Sequence, residues 1–230
     1  MPTTRTIIKL FGTVLFSGLF LHLNQAHAQF EWASYDWQTK RAKHGIKVQV
    51  SKVTGSNVKA VRAEIVVEGA VPELVALLKD FAYCSKWVDL CKESRVVKQL
   101  STYEEIVYVY NDAPFPIKDR DVVVRSVWSE DQDTGRVSMH SRALDFNEST
   151  NLVPVNKKAL RLSAAVSEWH FTPIATGGVL VESVAHVDPG GATPAWLINM
   201  MLVNSPFSTM QNLRSTIESG RYTSAVDIPF

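Results

Sequence analysis

Ala113-Pro114-Phe115-Pro116-Ile117-Lys118-Asp119-Arg120-Asp121-Val122-Val123-Val124-Arg125-Ser126-Val127-Trp128 is the stretch on which the fold turns. Pro114 and Pro116 hold the chain extended in a turn between two strands. The four charges of residues 118–121 then open a strand. Side chains alternate along a strand, so Arg120 shares a face with Val122, Val124 and Trp128. If that face points inward, a cation stands at the edge of an apolar chamber. A lone buried charge is costly and needs an acidic partner or an anionic ligand. Asp119, Asp121 or an acid on a neighbouring strand would make Arg120 half of a structural ion pair. An anionic ligand would make it a binding residue.

On both sides of this stretch the chain reads as strands. Alternation begins at Ile46, Val48 and Val50 and resumes over 58–67, after the turn Gly55-Ser56-Asn57. Further strands are expected at 95–100, 105–111, 121–128, 136–144, 160–172 and 179–187, with 147–158 as a polar loop. Residues 30–44 end in Lys40, Arg41 and Lys43 before Gly45, which suits the end of a helix. Pro72 opens a second helical pattern through Phe81, carrying Leu74, Leu77 and Leu78. The chain closes on a long helix that Thr193 caps and Pro194 opens. Leu197, Met200, Val203, Phe207, Met210, Leu213 and Ile217 form one apolar stripe along it. Pro206 should break that helix near Asn204-Ser205. Seven or eight sequential strands and one terminal helix predict an α+β domain, an antiparallel sheet wrapped around the helix.

Residues 1–28 read as a secretory leader. Arg5 and Lys9 precede an apolar run at 10–23, and Ala26-His27-Ala28 is a small-x-small cleavage site. The run is shorter than the roughly 20 residues that span a bilayer. Cleavage after Ala28 leaves 202 residues with 22 basic and 23 acidic side chains, a net charge of −1. That balance gives no basis for nucleic-acid binding. The 46% apolar content excludes a disordered chain. An exported protein of this kind belongs in the periplasm of a bacterial source. Cys84 and Cys91 would then meet an oxidising medium. On one continuous helix they would lie about 10 Å apart, too far to bridge. They are bridged only if the helix ends between them, and otherwise are two free thiols.

Chemical motifs are mostly absent. No nucleophile elbow, phosphate loop, dinucleotide fingerprint or zinc-protease helix occurs. The sequence therefore implies no metal and no cofactor. Glu130, Asp131 and Asp133 precede Gly135 and read as a solvated hairpin turn. Glu182 and His186 are four apart in one strand, on one face, and are the nearest approach to an acid–base pair.

Several segments together resemble StAR-related lipid-transfer (START) domains. The Pro-Phe-Pro and Arg-Asp-Val-Val-Val-Arg of residues 114–125 look like that family's signature, and residues 188–199, Asp-Pro-Gly-Gly-Ala-Thr-Pro-Ala-Trp-Leu-Ile-Asn, like the approach to its last helix. Residues 80–98 around Trp87, and Ser-Glu-Trp-His-Phe at 167–171, are similar to two further family features. The resemblance spans about residues 48–219. It implies a helix-grip fold: a curved antiparallel sheet around a C-terminal helix, enclosing a lipid tunnel. Family members bind one lipid or sterol and generally do no chemistry; no repeat or linker divides this chain, so residues 29–230 read as a single domain, expected to be a monomer. Arg120 and Asp121 occupy the family's Arg-Asp positions. Sterol-binding members carry an arginine six residues after that first one; here Ser126 stands there and the arginine is Arg125, which leaves the ligand class open.

The resulting expectation is a START-like protein of the cell envelope that binds, and shuttles, a lipid or other apolar molecule, with transient membrane contact. Its expected wall residues are Trp87, Phe115, Arg120, Trp169, Met200, Phe207 and Met210, with Met200, Met201 and Met210 as an adaptable surface. Two other readings stand beside it. One is a helix-grip cyclase or hydrolase acting on an aromatic substrate through Glu182, His186 or Arg120. The other is an envelope scaffold with a sealed core.

Overall fold

The structure, a computed structural model, describes residues 32–115, 117–191, 193, 197–198 and 200–225. The leader and cleavage point expected at residues 1–28 lie outside the described residues, as do Pro116 and Pro194.

Hydrophobic alternation builds a single sheet from the strands β1 (Gln38–Lys43), β2 (Ile46–Ser51), β3 (Ala60–Val67), β4 (Cys91–Ser101), β5 (Glu104–Asn111), β6 (Asp119–Asp131), β7 (Arg136–Ala143), β8 (Ala159–Leu162), β9 (Ala165–Pro173) and β10 (Val179–Val187). Their spatial order is β1-β2-β3-β10-β9-β7-β6-β5-β4, with β8 lying parallel beside β6. The other neighbours are antiparallel. Helices α1 (Val71–Lys79), α2 (Cys84–Trp87), α3 (Phe146–Leu152) and α4 (Ser205–Glu218) complete the domain, with a π-helical turn at Met200–Asn204 leading into α4. The curved sheet and its C-terminal helix form the expected α+β helix-grip fold.

The core lies between one sheet face and the helices. Ile65 of β3, Val181 of β10 and Phe171 of β9 meet Leu74 and Leu77 of α1 and Phe207, Met210 and Leu213 of α4. Phe207, Met210, Leu213 and Ile217 of the terminal stripe read from the sequence thus face the sheet. Pro206 has no N–H to give to a preceding turn, and the break expected beside it takes the form of the π turn that ends at Asn204.

Three local expectations are corrected. Residues 38–43 form an edge strand, not the end of a helix. His44 and Gly45 both take positive φ, 53° and 74°, and join β1 to β2 as a tight two-residue turn. Arg41 of that strand lays its guanidinium 3.5 Å above the ring centroid of Phe207. Residues 147–158 are not a plain polar loop, because α3 lies there. Asp145 caps it by accepting the Glu148 N–H at 2.8 Å. The segment covers the second sheet face, where Val153 and Ala159 join Ile106, Tyr108 and Val123 in a separate apolar cluster. The strand expected over 160–172 is two strands. β8 pairs with the start of β6, and β9 pairs with β7 and β10.

Cys84 opens α2 and Cys91 opens β4, so the helix ends between them and their Cα atoms come within 5.9 Å. The two are disulfide-bonded. Closing so short a loop removes denatured-state entropy worth roughly 2.5 kcal/mol. Replacing both cysteines by alanine is expected to cost about 2–3 kcal/mol of unfolding free energy in urea titrations. Reduced wild-type protein should fall by the same amount.

Candidate functional site

Between the sheet and the terminal helix, beside the sealed core, lies a cavity of about 250 Å³. β3 contributes Val61, β10 contributes Ala185 and Val187, β8 contributes Leu162, and β6 contributes Arg120. The opposite wall is the start of the terminal helix, with Leu197, Met201 and Leu202. A corner at Asp89 and Leu90 closes one side. The disulfide holds that corner directly before β4. Leu90, at φ 67°, sits in the left-handed region that a branched side chain rarely adopts. Its carbonyl accepts the Asp112 N–H at 2.8 Å. Asp89 N–H donates to Thr209 Oγ1 at 3.1 Å, which ties the corner to α4.

Arg120 is 8% exposed and lines this cavity. It is not in the ion pair that its acidic neighbours suggested. Its Nε donates to the Pro189 carbonyl at 3.2 Å and its Nη2 to Thr193 Oγ1 at 3.2 Å, while Nη1 donates to the Lys118 carbonyl. Gly190 and Gly191, at φ 63° and 64°, shape the loop that presents Pro189. A Cβ on Gly190 would come within 3.0 Å of Leu160. The adjacent Asp121 points to the opposite sheet face, as strand alternation requires. There Arg161 Nε and Nη2 grip its two oxygens at 2.9 Å each, and the Tyr108 hydroxyl donates to it at 3.2 Å. Asp119 accepts from the Tyr110 hydroxyl and from the Ala113 N–H at 2.9 Å.

Five of the remaining sequence-predicted wall residues lie elsewhere. Trp87, Phe207 and Met210 are sealed in the core, and Trp169 packs against it with its ring 5.8 Å from that of Trp87. Phe115 is 94% exposed, in the loop before β6. The side chain of Met200 is outside the described residues. From Phe207 onward the apolar stripe points to the core, while its first member, Leu197, lines the cavity together with the off-stripe positions Ile198 and Met201. That offset is the signal the stripe contains but does not announce. Ser126 bonds Ser141 at 2.8 Å, and Arg125 faces outward with Glu104.

Glu182 and His186 do not form a pair at the cavity. They alternate with Val181, Ala185 and Val187, which face the core or the cavity. Glu182 binds Arg62, and His186 Nε2 lies 3.1 Å from Ser56 Oγ. On this outer face Glu168 sits between His140 at 3.3 Å and His170 at 3.1 Å. Burial raises the Glu168 pKa, but hydrogen bonds from His140, His170 and Trp32 outweigh it and bring it down to about 2. A depressed carboxylate stabilises the fold above its unfolded value and loses that effect as pH falls toward its folded one. The stability advantage of wild type over Glu168→Gln should therefore shrink between pH 5 and pH 2.5, by up to about 3 kcal/mol in urea melts. Among the described residues no group of three or more His, Cys, Asp or Glu is placed to hold a metal ion. Glu130 and Asp131 end β6, and the turn that follows reaches Gly135 at φ 67°. No helix among the described residues is long and apolar enough to cross a membrane.

Comparison with known proteins fits this geometry. A family model of the START domain matches residues 23–221. An uncharacterized protein of Pseudomonas aeruginosa is 33% identical over 187 residues, covering 80% of this chain and 87% of the relative. The crystal structure of a STAR-related lipid transfer protein from Xanthomonas axonopodis is 30% identical, covers 79% of this chain and 98% of that one, and superposes with a TM-score of 0.70. Human StAR-related lipid transfer protein 5 shares the fold with a TM-score of 0.73 at 16% identity, over 84% of this chain and 91% of that one.

Proposed function

The chain belongs to the START domain family, and on that premise we propose that it binds one apolar molecule, a lipid or a compound of lipid character, in the cavity between its sheet and its terminal helix. The observation that carries this reading is the cavity itself, about 250 Å³, walled largely by Leu162, Val187, Leu197, Met201 and Leu202. Each methylene placed in it gains about 0.8 kcal/mol. At about 250 Å³ the cavity falls just below the roughly 300–1,000 Å³ of common ligand sites, which suits one alkyl chain better than two. The Xanthomonas relative, described as a lipid transfer protein, supports extending the reading from binding to carriage.

The protein holds its ligand without transforming it. Glu182 and His186, the side chains best suited to acid–base work, face away from the cavity. Carriage takes place in the cell envelope, as the leader reading of residues 1–28 requires. The Cys84–Cys91 bridge supports an oxidising compartment.

Organic extraction and mass spectrometry of the protein purified from its native compartment test the reading. About one apolar molecule per chain is expected. Extracts that match a protein-free blank, together with no binding of the neutral probe N-phenyl-1-naphthylamine, would overturn it.

A further inference from the structure

Resting on the reading of the cavity as a ligand site, we propose that its ligand carries an oxyanion head group, a carboxylate or a phosphate, received by the guanidinium of Arg120. A guanidinium has five N–H donors. Three are engaged here, each by a neutral acceptor: the carbonyls of Lys118 and Pro189 and the hydroxyl of Thr193. Among the described residues the other two N–H groups have no acceptor, and they and the full positive charge remain for whatever enters. Among the described residues no carboxylate lies within ion-pair distance of Arg120. The acids beside it in sequence are committed elsewhere, Asp119 to Tyr110 and Ala113, Asp121 to Arg161.

None of the other charged groups of the wall forms an ion pair with Arg120 among the described residues. Asp112 pairs with Lys92 at 3.2 Å, Asp89 belongs to the corner held by Thr209, and Lys59 is exposed. Burial lowers the proton affinity of Arg120 below that of a free guanidinium, with Asp119 opposing. A cation drawn out of water beside Leu162, Val187 and Leu197 needs a compensating anion. An oxyanion on the end of an alkyl chain supplies it, by charge-assisted hydrogen bonds of the strong class. The tail then lies along the apolar wall that Met201 and Leu202 provide. Arg120 also fastens the loop before the terminal helix, so an anion held there would touch both β6 and that loop.

The experiment uses the full chain, freed of bound lipid, and displacement of N-phenyl-1-naphthylamine by decanoic acid, decyl phosphate and methyl decanoate at neutral pH. All three share one tail, and the ester lacks the charge. Wild type should bind the acid or the phosphate at least tenfold more tightly than the ester, and the tighter of the two identifies the head group. In Arg120→Gln that preference should fall to about twofold while ester affinity is kept, and Arg120→Lys should restore part of it. The wild-type comparison stands even if Arg120→Gln does not fold. Equal affinity of ester, acid and phosphate for wild type would overturn the head-group assignment and leave the apolar cavity intact. A preference that persists unchanged in folded Arg120→Gln would overturn the role of Arg120. Binding of none of the three would overturn both readings.

Discussion

Asp121→Asn should lower the unfolding free energy by about 3–5 kcal/mol, because it leaves Arg161 a buried cation without its anion. Both side chains are 1% exposed. Arg161 reaches Asp121 with two hydrogen bonds and the neutral carbonyls of Val153 and Pro154 with two more, and among the described residues Asp121 is the carboxylate it pairs with. Asparagine keeps the shape but not the charge. In a domain of this size the loss corresponds to roughly 10 °C in melting temperature. The paired replacement Asp121→Leu with Arg161→Met should recover most of it, since an apolar pair of similar volume removes both buried charges. By contrast, the surface pair Arg125–Glu104 should be worth at most about 1 kcal/mol. A melting temperature for Asp121→Asn within 2 °C of wild type would contradict this account of β6.

Ala185→Trp should abolish ligand uptake while leaving the fold in place. Ala185 lines the cavity from β10, opposite the terminal helix. An indole there occupies the space a ligand needs. Because the space already exists, the change should cost well under the 1–3 kcal/mol of ordinary overpacking. Affinity for N-phenyl-1-naphthylamine should fall at least tenfold, with a melting temperature within a few degrees of wild type. Undiminished probe binding by a folded Ala185→Trp would place the ligand somewhere else.

The sequence carried the central strands and the terminal helix plainly, because their alternation and stripe are written in apolar residues that pack on one another. β10 was expected at 179–187 and lies there. What stayed hidden had no such signature. β1 is Gln-Thr-Lys-Arg-Ala-Lys, an exposed edge strand whose charges block further pairing rather than fill a core. α3 is seven residues, too short to show a helical period, and its Asn, Ser and Thr are poor helix formers. β8 is four residues paired in parallel, a partner that only the folded chain brings near.

The site was legible in part for the same reason. Arg120 stood out as a charge among valines. The apolar wall did not, because core and cavity draw on the same residue types. Which helix positions open onto the cavity depends on the π turn at Met200–Asn204 and on the corner that the disulfide holds. Phe115 shows the converse: a large apolar side chain beside the signature arginine, yet carried out to solvent by its proline-bounded loop.

The most direct test of the cavity as a ligand site is a ¹³C-methyl methionine NMR titration with N-phenyl-1-naphthylamine. Met201 lines the cavity and Met210 is sealed in the core, so the two report on different places. The account predicts a saturable one-to-one shift of the Met201 methyl resonance, with Met210 nearly unmoved. A Met201 resonance that stays in place at saturating probe would contradict it.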